Sequence, residues 1–309
     1  MSQPTAIHSP SLFLAGPTAS GKSAAALHLA ERIGGEIISV DSMQVYRGLD
    51  IGTAKPTAAE RLRVAHHLLD VSDLGDAFDA ARFVALANKA VSEIRSRGRV
   101  PIFCGGTGLY FRAFIEGIGG SPAPQPELRA RLEATPVSEL LAELERADPV
   151  TFDRIDRKNP RRVVRAIEVI RLTGKPFSAQ RAEWNDPSRM ATTVIAAIRR
   201  DSSDLQERIN RRVEEMFRAG LVEETNALMS QGLTENKTAM QAIGYRQVVE
   251  HLRGERSLPE TVELVKIRTR QYAKRQMTWF RHQQNVRWLD IGRDDPAASI
   301  AERCLQAGS

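Results

Sequence analysis

Short apolar runs alternate with helical periods through the first third of the chain. "SLFLAG" (11–16), "EIISVD" (36–41) and "VPIFCGG" (100–106) are rich in Val, Ile, Leu and Phe and too short to be helices. Between them, "SAAALHLAERIG" (23–34) and "FVALANKAVSEIRSRG" (83–98) place apolar residues at the three- and four-residue spacing of a helix packed on one face. Strand runs that alternate with helices predict a parallel sheet covered on both sides. Its ligands are expected at the carboxyl ends of the strands. Near "GIGGSPAPQPELRARLE" (117–133) the composition shifts to Gly, Pro and Ser. Only helical patterns follow, such as "PVSELLAELERA" and "RRVVRAIEVIRL". The apolar run "ATTVIAAIR" (191–199) then resembles a further core strand, and helices return after it. The expected organisation is a core in two parts, 1–118 and 187–309, interrupted by a helical insertion over 119–186.

Composition adds boundaries. The 309 residues are 42% hydrophobic and 27% charged, which suits one large α/β domain or a core with a smaller partner. No apolar run approaches the roughly 18 residues of a membrane span, and "MSQPTAIHSP" lacks the basic and apolar regions of a signal peptide. A cytoplasmic protein that does not engage a membrane is expected. Cys104 and Cys304 are the two cysteines, too few for a disulfide framework or a four-thiolate zinc site. The net charge of +6 is weak evidence of a polyanionic partner by itself. Its distribution says more. Between Leu264 and Leu289 stand Lys266, Arg268, Arg270, Lys274, Arg275, Arg281 and Arg287, without an acidic residue and interleaved with Tyr272, Trp279, Phe280 and Trp288.

"GPTASGKS" (16–23) is a P-loop pattern set between a strand and a helix, the context that supports the assignment. Gly16 and Gly21 allow backbone N–H groups to converge on phosphate oxygens, with Thr18, Ala19 and Ser20 as the loop positions between them. Lys22 supplies a full charge, and the Ser23 hydroxyl can ligate Mg²⁺. The loop alone leaves open a nucleotide or another diphosphate. Asp41 ends the second strand beside it. In a nucleotide hydrolase it would hold magnesium through water, and in a transferase it would be a general base. A small-molecule kinase and an RNA-binding protein with a relict loop are the other classes the residues allow. His66 and His67 are adjacent without a ligand cluster and are assigned no catalytic role.

"GPTASGKS", "DSMQVYRGLDIGTAKP", "HHLLD", "FCGGTGLY", "AIGYRQ" and "KRQMTWFR" together resemble the bacterial tRNA dimethylallyltransferases in order and spacing, from about Leu12 to Trp288. The resemblance implies a P-loop NTPase-like α/β core with a helical insertion domain. It implies transfer of a dimethylallyl group from dimethylallyl diphosphate to N6 of adenine 37, next to the anticodon, with Mg²⁺ as cofactor. The partner it implies is the anticodon stem-loop of tRNA, and a monomer is expected. A free adenine nucleotide is the alternative acceptor, which the insertion and the basic segment argue against. Asp41 and Thr107 are the catalytic candidates by this likeness. Arg212 joins residues 16 and 18–23 at the diphosphate, with Arg208 as a weaker candidate. RNA contacts are carried over to Asp41, Ser42, Met43, Gln44, Thr107, Arg129, Arg161, Arg162, Arg165, Gly244, Tyr245, Arg246, Gln247, Lys274, Arg275, Gln276, Trp279 and Arg281. In that reading Tyr245 and Trp279 stack on single-stranded RNA while the cations neutralise phosphates. Lys55 belongs to the family pattern without a contact that the sequence supplies.

Overall fold

The computed structural model describes residues 11–118, 122–181, 193–283 and 285–308. Six strands form one sheet: β1 (Leu12–Ala15), β2 (Gly35–Val40), β3 (His66–His67), β4 (Val100–Gly105), β5 (Ile195–Arg200) and β6 (Val286–Ile291). Their order is β3-β2-β4-β1-β5-β6, and every pairing is parallel. β1 and β2 are buried at every position, as expected of strands covered on both faces. On one face, α1 (Lys22–Ile33) lays Ala25, Ala26, Leu29 and Ala30 against Leu14, Ile37 and Ile198, and Ile300 and Cys304 extend the same cluster. Gly34 ends α1 in the left-handed region at φ 67°, a conformation that costs glycine little.

The chain divides into two compact units, residues 1–114 with 191–309, and residues 115–190. The second is a helical unit of α5 (Pro126–Ala134), α6 (Val137–Ala147), α7 (Pro149–Arg154), α8 (Pro160–Thr173) and α9 (Phe177–Arg181) among the described residues. Its core joins Leu128, Leu132, Leu140, Leu144, Val163 and Ile167. Buried Asp148 caps α7 through Thr151 N at 3.0 Å and also accepts from Ser178 N at 2.7 Å, which ties α7 to α9.

Two local features of the first unit set the frame of the strand ends. The Val40 carbonyl accepts from both Gly106 N (3.2 Å) and Thr107 N (3.1 Å), just beyond β4. The approach requires glycine at 105, where a Cβ would lie 2.1 Å from Val40 O. The second feature is Lys55, whose side chain is 2% exposed. Its ammonium donates to Tyr46 O (2.6 Å), Asp50 Oδ1 (2.7 Å) and Asp70 Oδ1 (2.5 Å), and Arg61 completes Asp70 at 2.8 Å. The cluster ties the long loop after β2 to the segment that follows β3. Lys55→Met is expected to destabilise the fold by about 3 kcal/mol, because it leaves carboxylates short of their partner. Chemical denaturation of both proteins measures this. His66 and His67 make local bonds, Nδ1 of the first to Val64 O (2.8 Å) and Nε2 of the second to Glu36 (2.7 Å). No helix of the described residues is long and apolar enough to cross a membrane.

Candidate active site

The phosphate loop leaves β1 at Gly16 and enters α1 at Gly21, with Ala19 (φ 61°) and Gly21 (φ 94°) both in the left-handed region. Its carbonyls are gripped from outside. Pro17 O accepts from Lys22 Nζ (3.1 Å), Ala19 O from Arg208 Nε (2.9 Å), and Ser20 O from Arg200 Nε (2.7 Å). Arg200 is itself buried and paired with Asp204 at 3.0 Å. Within the loop Ser20 N turns back to Pro17 O at 3.3 Å, and Thr18 N donates to Gln276 at 2.9 Å. The first amides of α1 have no intrahelical partner, and Gly21 offers no side-chain cap. That leaves donors and positive helix potential facing one point, the makings of an anion cradle. Arg208 supports the loop backbone in this arrangement.

Beside the cradle lies a cleft of about 350 Å³, lined among others by Thr18, Lys22, Ser23, Asp41, Arg212 and Tyr272. Removal from water holds the Lys22 ammonium below its usual pKa, and Arg212 pushes the same way against the opposing pull of Cys104 and Asp41. Desolvation likewise lowers Arg212, whose Nη1 reaches Thr18 Oγ1 at 3.4 Å. Two partly desolvated cations side by side gain most from a multiply charged anion.

Asp41 stands at the carboxyl end of β2. Its Oδ1 accepts from Met43 N (2.8 Å) and Gln44 N (3.3 Å), which fixes the carboxylate plane. The Thr107 hydroxyl accepts from Ser42 N at 3.1 Å, while its carbonyl accepts from Tyr110 N and Phe111 N and so starts α4 (Gly108–Glu116). Thr107 therefore opens the helix and also braces the Asp41 loop. The cleft is also lined by an apolar set, Val213, Met216, Ile243 and Val265, which forms its apolar wall.

Several expected RNA contacts are spent inside the protein. Tyr245 is fully buried, and its hydroxyl donates to Glu224 (2.5 Å) and accepts from Gly52 N (3.1 Å), so its ring has no face for a base. Gln247 is buried and accepts from Gly244 N at 2.9 Å, and Gly244 is buried as well. Gln44 accepts from Ser39 Oγ (2.8 Å) and donates to Thr53 O (3.1 Å), which leaves it a brace between two stretches of loop. Gln276 is buried, with both ends of its amide taken up by Thr18 N and Gly106 O. Trp279 is half-buried, its indole against Gly108, where a Cβ would lie 2.2 Å from the ring.

Others face solvent. Lys274, Arg275 and Arg281 are exposed on the 24-residue helix Leu258–Arg281, and Arg246 is exposed and paired with Glu250 at 3.1 Å. In the helical unit, Arg161 and Arg162 are exposed at the start of α8. Arg165 and Arg129 instead lie 2.8 and 3.7 Å from Glu168, a wholly buried carboxylate that also accepts from Gln125 N. The ion pair gives these two arginines a structural task.

Tyr272 is a cleft residue that sequence reasoning left in the general basic segment. Burial, then the nearby Asp41 charge, push its phenol well above the usual range. Val265, Thr269, Tyr272 and Gln276 all line the cleft from one helix. Their spacing of four, three and four residues is a single helical stripe. That stripe was the available signal, masked by the density of cations around it.

Fold and site define an α/β P-loop protein that sets a phosphate cradle beside a fixed carboxylate and an apolar wall. The family model described as IPP transferase matches residues 44–283. The chain belongs to the IPP transferase family. It is 46% identical over 279 residues to tRNA dimethylallyltransferase 1 of Citrifermentans bemidjiense, covering 90% of this chain and 91% of that protein. Against the tRNA dimethylallyltransferase of Geobacter metallireducens the identity is 47%, with 89% and 90% covered. The crystal structure of the full-length tRNA isopentenylpyrophosphate transferase from Bacillus halodurans aligns at a TM-score of 0.68 and 39% identity over 95% of each chain. A eukaryotic dimethylallyltransferase acting on tRNA aligns at 0.78 and 28% identity, covering 91% of this chain and 73% of that one.

Proposed function

We infer that this chain transfers a dimethylallyl group from dimethylallyl diphosphate to N6 of adenine 37, beside the anticodon of tRNA. The observation that carries this reading is the single cleft that holds Lys22, Arg212, Asp41 and an apolar wall together. The diphosphate lies against the amides that open α1, with Lys22 and Arg212 on its oxygens. The allylic C–O bond breaks, and the diphosphate leaves with the electron pair while these cations meet its growing charge. The dimethylallyl carbons rest against Val213, Met216, Ile243 and Val265.

The acceptor nitrogen is a poor nucleophile, since its lone pair is delocalised into the adenine ring. Asp41 accepts an N6 hydrogen bond and takes the proton as the C–N bond forms. Its Oδ1 is already held by two backbone amides, which leaves Oδ2 to face the amine. Thr107 fixes the neighbouring backbone through Ser42 N. The adenine must leave its stack to reach this carboxylate, at a cost of a few kcal/mol that phosphate contacts offset. Exposed Arg161, Arg162, Arg246, Lys274, Arg275 and Arg281 are the cations assigned to the anticodon stem-loop.

A divalent metal fits the chemistry of a diphosphate donor, and Mg²⁺ is the ion assigned here. Ser23 is exposed and lines the cleft, while no group of three His, Cys, Asp or Glu converges among the described residues. Such a site suits an ion held by one hydroxyl and completed by phosphate oxygens and water. When bound, it neutralises charge on the leaving diphosphate. The protein is assigned to the cytoplasm and to a monomeric state.

Incubation with labelled dimethylallyl diphosphate and either unmodified tRNA or AMP tests the assignment. Label is expected in tRNA, and label in AMP alone overturns the acceptor. Replacing both Lys274 and Arg275 with Ala is expected to weaken RNA binding and to lower the slope of log affinity against log salt by about one per lost phosphate contact. An unchanged slope in a filter-binding titration places both charges outside the interface.

A further inference from the structure

The buried amide of Gln276 has a consequence for which anions the phosphate loop accepts. Gln276 is 6% exposed on the helix Leu258–Arg281. Its Oε1 accepts from Thr18 N at 2.9 Å, and its Nε2 donates to Gly106 O at 3.0 Å. Gly106 is packed closely against it, since a Cβ there would lie 2.1 Å from Gln276 Nε2 and 3.1 Å from Gly16 O, and Gln276 also lines the cleft. The loop therefore has two unlike ends. At the α1 end, the helix amides remain available to an anion. At the opening end, the Thr18 N–H is already taken by a carbonyl oxygen of the protein.

In a P-loop the backbone N–H groups cradle the inner phosphates and the lysine reaches the outer ones, and here the Lys22 ammonium lies at the opening turn, 3.1 Å from Pro17 O. The Gln276 Oε1 stands at that turn as a built-in stand-in for a phosphoryl oxygen. A third phosphate brought there finds the Thr18 donor occupied, meets the lone pairs of Oε1, and competes with side-chain volume for the same space. We propose that Gln276 is a specificity-determining residue that limits this loop to a diphosphate and excludes triphosphates. The proposal rests on the reading of the donor as a diphosphate.

The test compares inorganic pyrophosphate with inorganic tripolyphosphate, each with Mg²⁺, by calorimetry on the full chain. The wild-type protein is expected to bind pyrophosphate at least about tenfold more tightly, a difference of about 1.4 kcal/mol. Gln276→Ala frees the Thr18 N–H and opens the end of the loop, so this ratio is expected to fall toward one or to invert. Gln276→Met keeps most of the side-chain volume and removes the acceptor, and a smaller fall in the ratio is expected. It decides the matter if Gln276→Ala does not fold, as judged by thermal melting. Equal weakening of both anions in the folded variants would make Gln276 a support of the loop only and overturn the proposal. Tighter binding of tripolyphosphate by the wild-type protein would instead overturn the diphosphate reading beneath it.

Discussion

Asp41→Asn is expected to lower kcat by about 10² to 10⁴ while leaving affinity for tRNA and for dimethylallyl diphosphate nearly unchanged. The substitution is unusually clean here. The amides of Met43 and Gln44 both donate to Asp41 Oδ1, and an asparagine oxygen can accept the same two bonds. The turn is therefore preserved, and the variant lacks only the capacity to take a proton from the amine. Single-turnover measurement of labelled tRNA, with binding of each substrate measured separately, separates chemistry from association. Turnover within about threefold of wild type would remove Asp41 as the base.

Lys22→Met is expected to cut kcat by about 10² to 10³, comparable to the loss of a principal donor to developing negative charge, and to weaken pyrophosphate binding. The same change should leave the melting temperature of the ligand-free protein unchanged or raise it. The Lys22 ammonium is desolvated, lies near Arg212, and among the described residues donates one hydrogen bond, to the Pro17 carbonyl. Holding such a cation without its anion destabilises the fold, so function and stability are opposed at this position. A structural lysine would show the reverse, a fall in melting temperature together with the fall in rate. Differential scanning calorimetry beside a steady-state assay makes the distinction.

The parts of the fold that the sequence made legible are those governed by local chemistry. Apolar runs such as "EIISV" are buried on both faces as strands of a parallel sheet. The glycine, lysine and serine spacing of residues 16–23 falls between a strand and a helix. Asp41 was legible for the same reason, because the last residue of a strand run projects toward the ligand edge.

What was not legible depends on partners far along the chain. Gln276 and Thr18 are separated by 258 residues, and Tyr245 and Gly52 by 193. A polar or aromatic residue in a cationic segment reads as a surface group unless those partners are known. Gln276 thus reads as a hydrogen-bonding group offered to RNA, and in the fold it holds Thr18 N and Gly106 O, whereas Gln44 and Gln247 are turned inward by nearer partners, Ser39, Thr53 and Gly244. Arg129 and Arg165 are half-buried beside the carboxylate of Glu168, whose burial the three-residue spacing of Arg165 and Glu168 does not by itself reveal.

The double acceptance by the Val40 carbonyl limits how the site can adapt to a substrate. That one oxygen holds the amides of Gly106 and Thr107, and Thr107 in turn holds Ser42. Asp41, placed between Val40 and Ser42, is thereby mechanically joined to Thr107. A displacement of either residue would have to break or carry along the hydrogen bonds that link them. A carboxylate anchored in this way would give the adenine acceptor proposed above a fixed reference.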